Sequence, residues 1–451
     1  MRTKIQNLFL LYIRTLAKLQ LKKIHPIIVG VTGSEGKTST TDAIKLVLET
    51  KYKVKKTGKA NSETGIPLDI LGLEVKSYSM LNWIKLALLS LWKLLTNWEK
   101  YDVYVVEMGI DSISEPKNMS YLLKILTPKI GILTSISSVH AENYQTLLKD
   151  DFLKDVEKIE FLKNEIAKEK GKLITAAIEN GGHGIVNIDN EYIGNFIIDK
   201  ELDIHGVSNT NIKNPKLLQI LEVANTDKGF LAKYKLDSEE SELEIKDSLL
   251  GEEYAYTFGF AIQTALLLQI NFHTAIKALE RYKAPEGRFR LLEGINNSKI
   301  IDSSYNSSPV TLEYALCLFK KLESKGRKIA VLGDMRELGD KIEKEEHEKM
   351  ARTAAKFKFD KYYLVGKNMA SNFAHELLLE GIDKKNIRTF KNSLELGEEL
   401  RKDVQQNDLI LVKGSQNTVF LEEAIKQILP GKTLQPSEPS NLLCRQSKWW
   451  L

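Results

Sequence analysis

The sequence predicts an α/β protein, with a central domain on a mostly parallel sheet followed by a C-terminal Rossmann-like α/β domain. Three observations carry this. At 451 residues the chain exceeds what one ordinary core holds. Short apolar, β-branched runs alternate with stretches of helical period. That alternation restarts after the punctuating segment Pro285-Glu-Gly-Arg-Phe289. A composition 43% hydrophobic and 28% charged excludes collagen-like, mucin-like and wholly disordered classes. The 65 Lys and Arg against 60 Asp and Glu are spread along the chain, so no nucleic acid is expected as a partner. The two cysteines, Cys317 and Cys444, sit in no metal-ligand spacing and fit a reducing cytoplasm.

Residues 1–25 read as an amphipathic helix with Ile5, Leu8, Phe9, Tyr12, Ile13, Leu16 and Leu19 on its apolar side. The run at 8–13 is too brief for a signal-peptide core. The central domain, 26–285, opens with a buried strand at 26–32, a glycine turn and a helix at 38–50. Further strands are expected at 103–108, 130–136, 174–177 and 184–188, with a small antiparallel excursion within 200–250 and helices at 256–268 and 274–282. The C-terminal domain, 286–430, has strands at 299–302, 328–332, 361–365 and 409–412. The tail, 431–451, is a loose appendage containing Pro436 and Pro439.

Residues 78–98 hold Trp83, Trp92 and Trp98, three of the five tryptophans. Lys85 and Lys93 interrupt the segment, so it is no membrane span. Two readings stand: a helix packed on the domain, or an interfacial helix with Trp at headgroup level, which would give a cytoplasmic monomer a peripheral membrane contact.

Thr32-Gly33-Ser34-Glu35-Gly36-Lys37-Thr38-Ser39 lies between strand and helix, which makes the central domain one of P-loop ATPase type. Backbone amides of Gly33, Ser34, Glu35 and Gly36, with Ser39 just inside the helix, would close round the phosphates of ATP. Lys37 would reach the outer phosphates and Thr38 would give its hydroxyl to Mg2+. Glu107 ends an apolar strand and His140 follows another, where open α/β sheets bind ligands, so both are candidate metal ligands. A chance glycine turn, an ordinary strand-end charge and a structural histidine are the competing readings.

These residues resemble the Mur ligase family, the ATP-dependent amide ligases of peptidoglycan precursor synthesis. The glycine loop is similar to the family's shortened form, and Asn61-Ser-Glu-Thr-Gly-Ile-Pro67 to its Asn-rich loop. Glu107-Met-Gly and the segment from Thr134 to His140 match its two metal-binding strand ends. Ile166-Ala-Lys-Glu-Lys170 looks like the helix bearing a carbamylated lysine, with Lys163 a weaker rival for that position. Asn187-Ile-Asp189 follows at the family's interval. Glu286-Gly-Arg288, Asp302-Ser-Ser-Tyr-Asn306, the 331–339 segment with His347 beyond it, and Val412-Lys413-Gly-Ser415 fit the branch that adds D-alanyl-D-alanine to a muramoyl tripeptide.

The resemblance implies Lys37, His140, Lys170 and Arg288 as catalytic, with Thr38, Glu107, His140 and carbamylated Lys170 holding Mg2+. It implies that Asn187 and Asp302 contact nucleotide, and that Asn61, Asn306, Lys413 and Ser415 contact the muramoyl peptide or D-Ala-D-Ala. Arg288 and Asp302 would meet nucleotide only on closure about a hinge at 284–288. Such an enzyme would serve cell-wall biogenesis, cell shape and division. Departures are the Gly251-Glu-Glu-Tyr254 segment in place of the usual adenine-site motif, Ser303 for a second Asp, and Gln416 for a common basic residue. Only about 25 residues precede the phosphate strand, so a UDP group would be recognised by another protein, or the substrate would be lipid-linked. A folylpolyglutamate-synthase-like ligase and a non-catalytic nucleotide-binding scaffold are the alternatives.

Overall fold

A computed structural model describes residues 2–58, 60–74, 80–110, 112–137, 155–210, 214, 216–226, 228–335, 343–415 and 419–430. The chain divides into two compact units. The first comprises 1–223, 232–243 and 251–282, and the second 224–231, 244–250 and 283–451.

In chain order the elements up to residue 282 are α1 (Arg2–Ile24), β1 (Ile27–Thr32), α2 (Lys37–Leu48), β2 (Val54–Lys56), α3 (Gly65–Ile70), α4 (Met80–Thr96), β3 (Val103–Glu107), α5 (Met119–Leu123), β4 (Ile130–Leu133), α6 (Asp155–Glu179), β5 (His183–Asn187), α7 (Glu191–Lys200), β6 (His205–Ser208), β7 (Leu217–Thr226), β8 (Gly229–Leu236), β9 (Glu239–Lys246), α8 (Glu253–Leu267) and α9 (Phe272–Leu279). The sheet runs β2-β3-β1-β4-β5-β6-β7-β8-β9, and every pair from β2 to β7 is parallel. Parallel strands put all their C-terminal ends on one edge. Val31 lies opposite Glu107, and Thr32 opposite Leu133. Central strands β1, β3 and β4 are buried almost throughout, which is why they read as continuous apolar runs rather than alternating ones.

One expected strand is a helix. Residues 174–177 lie inside α6, where Leu173, Ile174 and Ala177 are buried at helical spacing. A Cβ added at Gly131 would come within 2.9 Å of the Leu173 carbonyl oxygen, so glycine there admits the close helix–strand approach. The apolar side of α1 also differs from expectation. Leu10, Ile13, Leu16, Ala17 and Leu21 are buried, while Leu8 and Leu19 face outward. The helix is apolar nearly all round from Leu8 to Ile13, and packing against α3 and α4 selects the face. The antiparallel excursion is larger than expected, since β7 precedes β8 and β9 and joins them to β6.

The second unit contains β10 (Arg290–Glu293), β11 (Lys299–Ser303), α10 (Pro309–Lys321), β12 (Lys328–Gly333), α11 (Glu343–Phe357), β13 (Lys361–Val365), α12 (Ala374–Leu379), β14 (Ile387–Phe390), α13 (Ser393–Asp403), β15 (Leu409–Lys413) and α14 (Glu422–Ile428). Its sheet order is β10-β11-β15-β12-β13-β14, parallel except for β10 against β11. Helices cover both faces, giving two buried clusters centred on Phe319 and Met350 and on Ile410 and Ile425. Both units are α/β.

Candidate active site

The glycine loop of the first unit rests on backbone conformations that its neighbours require. Gly33 has φ 150°, and a Cβ there would lie 2.0 Å from Thr134 Oγ1. Gly36, at φ 78°, occupies the left-handed region immediately before α2. The loop is sewn to the segment after β4. Ser34 N–H donates to the Ser135 carbonyl at 2.8 Å, Glu35 N–H to Ser135 Oγ at 3.1 Å, and Ser137 N–H to Ser34 Oγ at 3.0 Å. Lys37 Nζ bonds the Gly33 and Ser34 carbonyls, each at 2.9 Å, so the ammonium lies over the loop at the start of a helix.

Four further candidates converge there. Thr38 Oγ1 donates to Glu107 Oε2 at 2.7 Å, and Asn61 Nδ2 donates to Glu107 Oε1 at 3.3 Å. Glu107 is 8% exposed. Lys170, 4% exposed on α6, donates from Nζ to the Gly33 carbonyl at 3.3 Å. Lys163 lies elsewhere, with its ammonium 5.1 Å from the centre of the Tyr192 ring. His140 lies outside the described residues.

Asn187, at the end of β5, accepts from the Asp189 amide at 3.0 Å. The adjoining Asn190 Nδ2 bonds the Ile136 carbonyl at 3.1 Å, which ties this strand end to the one after β4. Sequence reading missed the supports of these groups. Thr57 Oγ1 accepts from the Glu107 amide at 3.0 Å across fifty positions of chain, a partnership with no local signal. Asp189 accepts from Ser208 Oγ at 2.6 Å, Asn209 N at 2.7 Å and Tyr256 Oη at 2.7 Å. Burial first, then that hydrogen bond, holds the Tyr256 phenol well above its usual range. Tyr254 Oη lies 3.5 Å from Ser39 Oγ, with Tyr282 ring-to-ring at 6.1 Å. An aromatic residue in the altered 251–254 segment was the available clue. Burial raises the Glu253 carboxyl beside it.

Within the second unit, Arg288, Asp302, Asn306 and Lys413 gather at the C-terminal ends of β11 and β15, where Ser303 is paired with Lys413. Lys413 Nζ donates to the Asn306 carbonyl, and the Arg288 guanidinium lies 4.4 Å from the centre of the Tyr305 ring. Asp302 is fully buried and accepts from Ser304 N at 3.1 Å and Ser304 Oγ at 2.7 Å. The turn after Asn306 ends in a capping box, Ser308 with Thr311, and Pro309 opens α10. Such a cap contributes about 1 kcal/mol and fixes where the turn ends. Burial, then the Arg288 charge, lowers Lys413 to about 7. Ser415 Oγ donates to the Asp334 carbonyl. His347 is a brace: Nε2 accepts the Met335 amide at 3.0 Å, which leaves Nδ1–H to donate to the Glu343 carbonyl at 2.7 Å.

The donor set fits a hard divalent ion. Thr38 and Glu107 offer oxygen only, and among the described residues no cluster of three His, Cys, Asp or Glu competes with it. Mg2+ is ordinarily held this way, by one or two protein oxygens together with phosphate and water. A shortened glycine loop, its lysine and threonine, and an acidic strand end define a phosphate-binding α/β protein of P-loop type. The Mur ligase middle domain matches residues 31–265, and the Mur ligase glutamate ligase domain matches 287–416. The chain belongs to the Mur ligase family.

A UDP-N-acetylmuramoyl-tripeptide–D-alanyl-D-alanine ligase of Bacillus subtilis (strain 168) is 26% identical over 418 residues, covering 92% of this chain and 79% of its own. The fold is similar to that of Acinetobacter baumannii MurF, with TM-score 0.65 and 18% identity over 91% of this chain and 78% of that one. It is also similar to Thermotoga maritima MurF ligase in complex with ADP, with TM-score 0.59 and 21% identity over 92% and 83%.

Proposed function

We propose that this chain is an ATP-dependent C–N ligase of peptidoglycan precursor synthesis, joining D-alanyl-D-alanine to the terminal carboxylate of a muramoyl tripeptide. The observation that carries this is the convergence of Lys37, Thr38, Glu107, Asn61 and Lys170 on one glycine loop. A carboxylate does not acylate an amine unaided, because oxide is a poor leaving group. Phosphoryl transfer from ATP to that oxygen makes phosphate the leaving group, and the amine then displaces it.

The Ser34 and Glu35 amides are committed to Ser135 rather than free for phosphate as the sequence suggested. Lys37 and the backbone amides at the start of α2 therefore hold and orient the phosphates, and Thr38 with Glu107 would hold Mg2+, which would neutralise charge on the transferring group. Asn61 fixes the Glu107 carboxylate and borders the acid substrate. Arg288, Asn306, Lys413 and Ser415 receive the dipeptide amine and its carboxylate. The nucleotide and the precursor place this chemistry in the cytoplasm.

The test is ADP release by the purified chain supplied with ATP, Mg2+ and UDP-linked muramoyl tripeptide, with and without D-Ala-D-Ala. Release that requires both acid and dipeptide, with formation of the pentapeptide product, is expected. Release driven instead by a folate and glutamate would overturn the substrate assignment. No release with any acid and amine pair would overturn the ligase itself.

A further inference from the structure

α1 and α4 form a paired-helix surface that the ligase reading does not use. They run alongside one another in parallel: Phe9 stacks edge-on against Trp83 at 4.4 Å, Tyr12 Oη bonds the Ala87 carbonyl, and Gln20 Nε2 bonds the Asn97 carbonyl. Leu10, Ile13, Ala17 and Leu21 of α1 and Leu86 of α4 enter the buried cluster shared with α3, β3 and α5. At helical spacing the next row outward on α1 is Leu8, Leu11 and Leu19, and on α4 it is Ile84, Leu88, Leu91 and Leu95. Trp92 and Trp98 flank that row, and these residues are each 46–71% exposed. With the helices parallel and their inner faces on one core, helical geometry puts both outer rows on the same side, away from the core.

Charge separates the possible occupants of this face. α1 carries six Lys and Arg, α4 carries two, and neither helix contains an acidic residue. The chain as a whole is nearly balanced, with 65 cations against 60 anions. Glu99, just beyond α4, is paired with Lys55 at 3.0 Å. Lys18 and Lys85 are exposed beside the apolar rows, and Lys23 Nζ lies 3.6 Å from the centre of the Trp98 ring. A second copy of so cationic a face would repel the first. Among the described residues, no helix is long and apolar enough to cross a bilayer. Apolar rows edged by lysine and tryptophan are what an interfacial helix needs: leucines enter the acyl boundary, indoles sit at headgroup depth, and lysines meet phosphate.

We propose that the α1–α4 face docks the ligase peripherally on an anionic lipid bilayer. A lysine near such a surface contributes about 1 kcal/mol, or about fivefold in partitioning.

The test is co-sedimentation of the full chain with vesicles of phosphatidylcholine alone or containing about one-third phosphatidylglycerol. Wild type is expected to bind the anionic vesicles, and Lys18→Gln/Lys85→Gln to bind about 25-fold more weakly. Leu88→Asp/Leu95→Asp, at outward positions, should stay in solution with an unchanged melting temperature and unchanged ATP turnover. Wild type that stays in solution with anionic vesicles overturns the proposal, as does equal binding by Leu88→Asp/Leu95→Asp. So does a wild-type dimer, measured by ultracentrifugation without lipid, that this double variant converts to monomer. Equal binding to phosphatidylcholine alone overturns the anionic assignment.

Discussion

The Thr38 hydroxyl donates to the Glu107 carboxylate over 2.7 Å, so the first turn of α2 and the last residue of β3 meet at one point. Their strands make this possible, because Val31 and Glu107 lie opposite one another in parallel register and the loop leaves the sheet just past Val31. Both oxygens are ones a magnesium ion can take.

Replacing Glu107 by Gln preserves shape and the Asn61 neighbourhood while removing the charge. Turnover should fall about a hundredfold or more, the scale of losing one preorganised charge-stabilising group. The Mg2+ concentration for half-maximal rate should rise. Steady-state ADP release across a magnesium titration checks both, and wild-type magnesium dependence would remove Glu107 from the metal site.

Gly33→Ala tests the cradle rather than the charge. The new methyl would lie 2.0 Å from Thr134 Oγ1, on a backbone at φ 150° that L side chains rarely adopt. Either the loop or the segment after β4 must move, and Ser34 and Glu35 lose their registry with Ser135. ATP affinity measured by calorimetry should fall at least about tenfold, with melting of the second unit unchanged.

The glycine loop was legible because strand, glycine turn, lysine and threonine are contiguous, so local chemistry declares the site. Residues 174–177 were not, since a short apolar run is the same in a buried strand and on the inner face of α6. The outward rows of α1 were misread for a related reason: Leu8 and Leu10 are equally apolar, and only packing on α3 and α4 selects which is buried. Thr57 under Glu107 and Tyr256 on Asp189 are contacts between elements far apart in the chain, which no local spacing records.

If Lys413 serves the amine half-reaction as proposed, it should carry that step's pH dependence. Burial, and secondarily Arg288, brings its ammonium from 10.5 to about 7. Between about pH 7 and 10.5 the folded chain therefore holds fewer protons there than the unfolded chain does. The cost to stability is full below the folded value and is relieved as pH rises through this window. Above pH 7 the neutral amine can accept the proton that the dipeptide ammonium must lose. The rate constant kcat/KM for the dipeptide should thus rise with pH through an inflection near 7, alongside the dipeptide's own ionisation. Lys413→Arg, charged throughout, should lose that inflection and about a hundredfold in rate. Arg288→Gln should shift it upward by removing the nearby charge.

Lys170 separates two ways of using a buried amine. Its Nζ sits 3.3 Å from the Gly33 carbonyl, behind the loop where phosphates would lie. As an ammonium it braces that carbonyl. As a carbamate, formed when the neutral amine adds to CO2 and a proton goes to solvent, it carries a negative oxygen pair suited to a hard divalent ion. The first role predicts that Lys170→Arg keeps partial activity and that added carboxylates do nothing. The second predicts that Lys170→Ala loses about a hundredfold or more and regains part of it with millimolar acetate or formate, whose oxygens replace the carbamate's. It also predicts that wild type weakens when bicarbonate is stripped from the buffer. Rescue of Lys170→Ala by short carboxylates, with none for Lys170→Arg, is the expected result, because burial beside the loop leaves room for an anion only when the side chain is gone.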